Sequence, residues 1–148
     1  MIQEFEQVLM ERDVPAGVRA DAVGLCEVLL SVSEDWGMDC EHGIKESKKE
    51  VRAWLMGEGM NAAITVEIGD PKPKLSLRTV LGSELVIDVF RRIKDEGIRS
   101  FKFDVECSNA RFEGDYDVGI VQVKVAGGEG WEDLSSQLEE AGLKVVEV

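Results

Sequence analysis

Apolar residues recur at helical spacing in the first part of the chain and mainly at two-residue spacing after residue 61. Periods of 3.6 and 2.0 separate helices from half-buried strands. Ile2, Phe5, Val8 and Leu9 place a first helix at residues 2–12. Asp13 and Pro15 then form a start signal for a second helix reaching about Ser33. Val18, Ala22, Leu25, Cys26, Leu29 and Leu30 spread around a wide arc of it, so more than one neighbour is expected to pack there. Ile44, Val51, Trp54 and Leu55 share a face at helical spacing, which predicts a third helix stopped at Gly57 and Gly59, with Lys45, Lys48, Lys49 and Arg52 facing water.

From Ala63 onward, Ile64, Val66 and Ile68 alternate with polar residues. The turn Asp70-Pro71-Lys72-Pro73 leads to Leu75, Leu77 and Thr79, a hairpin signature. Ser83 is placed as the cap of a helix carrying Val86, Val89, Phe90 and Ile93 and closed by Gly97. Phe101, Phe103, Val105 and Cys107 then alternate as a strand whose phenylalanines belong to the core. Ser108–Asp117 reads as a polar turn before a strand at Val118–Val125. A last helix holds Trp131, Leu134 and Leu138 and stops at Gly142, followed by a strand over Leu143–Val148.

These elements describe an α+β fold: an N-terminal three-helix segment followed by a β-β-α-β-β-α-β unit, in which the part from Leu75 has the split βαβ order of ferredoxin-like folds. At 148 residues, 1–148 is expected to be a single domain, with a helical segment at 1–61 and a sheet-and-helix segment at 62–148. The N-terminal helices are expected to cover the free face of the sheet, or else a second subunit does.

Composition narrows the setting. The chain has no apolar run of bilayer length and no signal-peptide pattern at its start, so a soluble, cytoplasmic protein without a membrane partner is expected. Cys26, Cys40 and Cys107 are odd in number and far apart, which fits free thiols in a reducing compartment. A net charge of −13 opposes direct nucleic-acid binding, since a phosphate backbone is held by Lys and Arg displacing counterions. The charge is uneven: −7 over 1–62, +2 over 63–102 and −8 over 103–148. Complementary segments of this kind permit a homo-oligomer. Scarce Asn and Gln with Glu in excess of Asp hint at a thermophilic source.

Candidate chemistry is sparse. Asp39, Cys40, Glu41 and His42 form the densest run of metal-ligand types and include the only histidine. Neighbours in one loop rarely converge on one ion, and no C-x-x-C or H-x-x-x-H spacing supports them. Glu113, Asp115 and Asp117 near Asn109 offer oxygen at alternate positions without the glycine and final glutamate of an EF-hand loop. Gly127, Gly128 and Gly130 sit between a strand and a helix, where amides can hold a phosphate, but neither the P-loop lysine nor G-x-G-x-x-G is present and Glu129 would repel an anion. No nucleophile elbow accompanies any serine, and a triad would have to be built on His42.

The expectation that follows is a non-catalytic, acidic interaction or regulatory module that binds a protein partner, with no cofactor. The alternatives are a small-ligand or metal-binding domain, and behind it a carboxylate-based enzyme.

Overall fold

The computed structural model describes residues 16–69 and 72–148. In chain order the elements are α1 (Ala16–Asp35), β1 (Glu41–Glu46), β2 (Glu50–Gly57), β3 (Met60–Glu67), β4 (Lys74–Thr79), α2 (Ser83–Asp95), β5 (Ser100–Cys107), β6 (Ala110–Asp117), β7 (Ile120–Gly127), α3 (Trp131–Glu140) and β8 (Lys144–Glu147). The strands form one eight-stranded mixed sheet in sequential order. Of the seven neighbouring pairs, five are joined by hairpins or a loop and are antiparallel, and two are joined through helices, so β4–β5 and β7–β8 are the parallel pairs.

Two-layer packing follows from the alternation. Val51, Ala53 and Leu55 on β2, Ile64 and Val66 on β3, Leu75 and Leu77 on β4, and Phe101, Phe103 and Val105 on β5 all point to one side and are buried. That side is roofed by the helices: α1 lies against β2 and β3, α2 lies beside α1, and α3 lies beside α2 against β6 and β8. Phe90 of α2 packs among Phe101, Phe103 and Phe112, with ring centroids 5.5–6.3 Å apart. Phe112 in turn meets Trp131 of α3 at 4.9 Å. The wide apolar arc of α1 therefore does meet several neighbours, as its spacing predicts.

Each helix ends in the same way. Gly37, Gly97 and Gly142 all have positive φ, and the apolar residue after each donates its amide back into the last turn: Met38 to Ser33, Ile98 to Ile93 and Leu143 to Leu138. This Schellman closure needs a residue free of Cβ strain at the left-handed position. The helix starts are less regular. Gly82, not Ser83, occupies the N-cap of α2, and Ser83 is its buried first residue with no side-chain capping bond.

The expected three-helix N-terminal segment is not what forms. Among the described residues one helix, α1, precedes the sheet, and the residues read as a third helix are the hairpin β1–β2. Its turn is closed by the Ser47 amide, which donates to the Glu50 carbonyl at 2.8 Å. Val51, Ala53 and Leu55 obey a two-residue period at least as well as Val51, Trp54 and Leu55 obey a helical one, and burial on the sheet decides between them. The sheet thus begins at residue 41 rather than after 61. The helix expected at 2–12 lies outside the described residues.

The ferredoxin-like order fails for two reasons. Residues 110–117, read as a turn, are strand β6, whose buried Ala110, Phe112 and Tyr116 alternate with charged neighbours. In addition, β4 and β5 are adjacent, so no strand is inserted between them and the βαβ unit is not split. Gly114 allows β6 to lie against β7, where a Cβ would overlap the Gln122 carbonyl oxygen.

Candidate functional site

The face of the sheet away from the helices is open among the described residues, and it is not apolar. Register sets its side chains in rows across the strands. One row runs Lys45, Arg52, Thr65, Ser76, Asp104, Glu113, Lys124, and the next runs Glu50, Glu67, Lys74, Lys102, Asp115, Gln122. Within the rows, opposite charges face each other at Glu67–Lys74, Lys102–Asp115 and Glu113–Lys124 and like charges at Lys45–Arg52, Glu50–Glu67, Lys74–Lys102 and Asp104–Glu113. Ion pairs form between Lys72 and Asp115 at 2.5 Å and along β2 between Arg52 and Glu50 at 2.9 Å. Eight basic residues (Lys45, Arg52, Lys74, Arg78, Lys102, Arg111, Lys124, Lys144) face eight acidic ones there (Glu41, Glu50, Glu67, Asp104, Glu106, Glu113, Asp115, Asp117). The face is neutral as a whole, so the net charge of −13 is carried by the rest of the chain.

One part of this face differs. Between β2 and β5, at the end bearing the β2–β3 turn, lies a groove of about 730 Å³ lined mainly by apolar atoms. Ala63 is on its floor, Trp54 and Met56 form one wall, and Arg78 and Val80 the other. Met56 is 57% and Val80 60% exposed, high values for apolar side chains. Trp54 does not stand over the groove. Its ring lies across Gly43 of β1, in space that a Cβ on that residue would fill, so the tryptophan shields the glycine backbone and leaves Ala63 uncovered. Arg78 reaches Glu106 at only 4.0 Å with its side chain 78% exposed, and its guanidinium is therefore accessible to a ligand.

The residues singled out in the sequence lie elsewhere. Asp39 precedes β1, and Glu41 and His42, on that strand, point to opposite faces of the sheet. Cys40 is half-buried against Gly57, and the His42 ring nitrogen Nδ1 sits 3.5 Å from the Cys40 carbonyl. Cys26 is buried on the sheet-facing side of α1, its thiol facing the Val51 carbonyl at 3.5 Å, and burial pushes its pKa up to about 12, with Glu27 and Glu46 adding to the effect. Cys107 donates to the Ala110 carbonyl at 3.3 Å. Among the described residues no three His, Cys, Asp or Glu side chains are grouped so as to hold a metal ion.

Glu113, Asp115 and Asp117 share the open face two residues apart along β6, about 7 Å from one to the next, too far for one ion to collect all three. Gly127, Gly128 and Gly130 have a packing role. The β5–β6 turn docks on them: the Gly130 amide donates to the Asn109 carbonyl at 2.6 Å, and a Cβ on Gly128 would run into the Ala110 backbone. The cleft of about 400 Å³ beside them is bordered by Glu106, Arg111 and Glu129, charges of both signs.

The sequence hides the groove residues because Trp54 also fits a helical period with Ile44, Val51 and Leu55. Alternation of Arg52, Trp54 and Met56 against Val51, Ala53 and Leu55 is the signal that could have found them: large apolar residues on the side that should be wet. Compared with known proteins, the chain matches no family model, no curated protein and no solved structure.

Proposed function

We propose that the protein is a non-catalytic interaction module that binds a segment of a partner protein in the open-face groove. The partner segment combines an apolar anchor, seated on Ala63 between Trp54 and Val80, with flanking cationic side chains. The single observation that carries this reading is the exposure of Met56 and Val80 around an uncovered Ala63, on a face whose other positions are mainly charged and polar. An apolar depression with a polar rim is the usual form of a protein-binding hot spot. The cationic character follows from the charge of −13, which draws basic partners over long range and sets their on-rate.

Panning a displayed random-peptide library against the wild type and an Ala63→Arg variant tests the proposal. Peptides pairing an aromatic or large aliphatic residue with Lys or Arg should be enriched on the wild type, bind more weakly as salt rises, and be lost on Ala63→Arg. No enrichment, or enrichment that survives Ala63→Arg, refutes it.

A further inference from the structure

Beyond the groove, β1 offers a second surface. It is the first strand of the sheet, with no strand neighbour on its outer side among the described residues, and all of it except Gly43 is exposed. Which of its main-chain groups point outward follows from the hairpin. Ser47 and Glu50 form a hydrogen-bonded pair, and such pairs alternate with non-bonded ones along an antiparallel ladder. Lys45, Gly43 and Glu41 therefore bond to β2, while His42, Ile44 and Glu46 present their amides and carbonyls to the free side.

We infer that β1 pairs antiparallel with β1 of a second copy about a two-fold axis at Gly43, extending the sheet across a homodimer. In that register His42 and Ile44 of each copy exchange main-chain hydrogen bonds with Ile44 and His42 of the other, using the groups left free. Glu41 then lies directly opposite Lys45 of the second copy, and Lys45 opposite its Glu41, giving two identical ion pairs on the open face. A two-fold interface must be self-complementary in this way.

No neighbouring register pairs Glu41 with Lys45. An axis at His42 sets Glu41 opposite glycine and leaves Lys45 opposite Asp39, which lies outside the strand, and an axis at Ile44 sets Lys45 opposite glycine, Glu41 opposite Ser47 and His42 opposite Glu46. The proposed register also brings like faces together, so both helix layers stay on one side. Gly43 faces Gly43 of the second copy as the close, non-bonded pair, where Cα atoms approach to about 4.5 Å. The two Trp54 rings, each lying across its own Gly43, then meet at the axis and their half-exposed surfaces become buried. Edge strands are commonly blunted by charge to prevent association, but here the charges sit where they attract a copy of themselves.

Sedimentation velocity of the full chain over a concentration series, with three variants, tests the inference. The wild type should show a concentration-dependent dimer. Lys45→Glu, which opposes glutamate to Glu41, should weaken dimerisation about tenfold or more. The exchange Glu41→Lys with Lys45→Glu should restore it, because the pairs reform with reversed polarity. Ile44→Pro, which deletes an outward amide and leaves the β2 ladder intact, should give monomers with an unchanged circular dichroism spectrum. A wild type that stays monomeric, a Lys45→Glu protein that dimerises as well as the wild type, or a folded exchange variant that fails to recover dimerisation overturns the inference.

Discussion

The two faces of the sheet are made from the same strands and the same register, yet they are held in opposite ways. Under the helices, aromatic and branched side chains interlock around Phe90, and no charged residue is buried among the described residues. On the open face, equal numbers of acidic and basic side chains are interspersed along the rows and remain in water. Burial of apolar area contributes most of a fold's stability, whereas exposed ion pairs contribute little. The free energy of this domain is therefore concentrated on one face, which leaves the other able to carry an exposed groove and a free edge strand at small cost.

The largest expected effect comes from opening the covered face. Phe90→Ala removes the ring that Phe101, Phe103 and Phe112 surround, and urea unfolding should show a loss of about 4 kcal/mol. A loss below about 1 kcal/mol would mean that the helix layer can collapse onto the gap and that the contrast between the faces is weaker than the packing implies.

How much of this contrast was legible in the sequence depends on which signal an element carries. The elements bounded by glycine were well placed: Gly97 and Gly142 end helices because the left-handed cap position requires them, and that requirement is local. Ile64, Val66, Leu75, Leu77, Phe101 and Phe103 announced their strands because both neighbours in each alternation are unambiguous. The hairpin β1–β2 was obscured by Ala53, a core residue too small to stand out, which let Trp54 substitute for it in a helical pattern. Strand β6 was hidden by its own open face, since Arg111, Glu113, Asp115 and Asp117 outnumber the buried Phe112 and Tyr116. The groove was invisible for a further reason: it is formed by four strands at once, and it required the hairpin to be recognised first. Asp39–His42 and Gly127–Gly130 were found by composition, which takes no account of strand alternation or of the Asn109 turn against the glycines.

A buried thiol sharpens the comparison through pH. Cys26 has an ordinary pKa of 9.0 when unfolded and about 12 when folded, because burial disfavours the thiolate. Between these values the unfolded chain releases a proton that the folded chain retains, so stability falls as pH rises through that window and is undiminished below pH 9. The slope should approach about 1.4 kcal/mol per pH unit from this group, and Tyr116, also raised chiefly by burial, adds in the same direction. Stability curves for the wild type and Cys26→Ala between pH 8 and pH 11 should diverge in slope, with the variant flatter. Parallel curves would show that the thiol titrates normally and that solvent reaches the covered face.

At the β6–β7 turn neither face is involved, and the strain is in the backbone. Val118 has φ 42° and is 73% exposed, followed by Gly119 at φ 82°. Both central residues of such a turn are left-handed, which suits Asn-Gly and penalises a β-branched side chain. Val118→Asn should raise the urea midpoint by an amount equivalent to about 1 kcal/mol. An unchanged or lower midpoint would mean that the valine makes a compensating contact.

The smallest expected effect is on the open face. Arg78→Ala removes a side chain that is 78% exposed and pairs with Glu106 at 4.0 Å, so its contribution to stability should lie within about 0.5 kcal/mol of zero. The same substitution removes the one cation in the groove wall and relieves the repulsion felt there by a basic partner segment, so peptides selected on the wild type should bind the variant as well or better. Weaker peptide binding with unchanged stability would show instead that the partner brings an acceptor to the guanidinium, and would reverse the expected sign of the partner. A stability loss above about 1 kcal/mol would place the row containing Arg78 among the elements that hold the fold, and the separation between a stabilising face and a recognising face would not hold at that row.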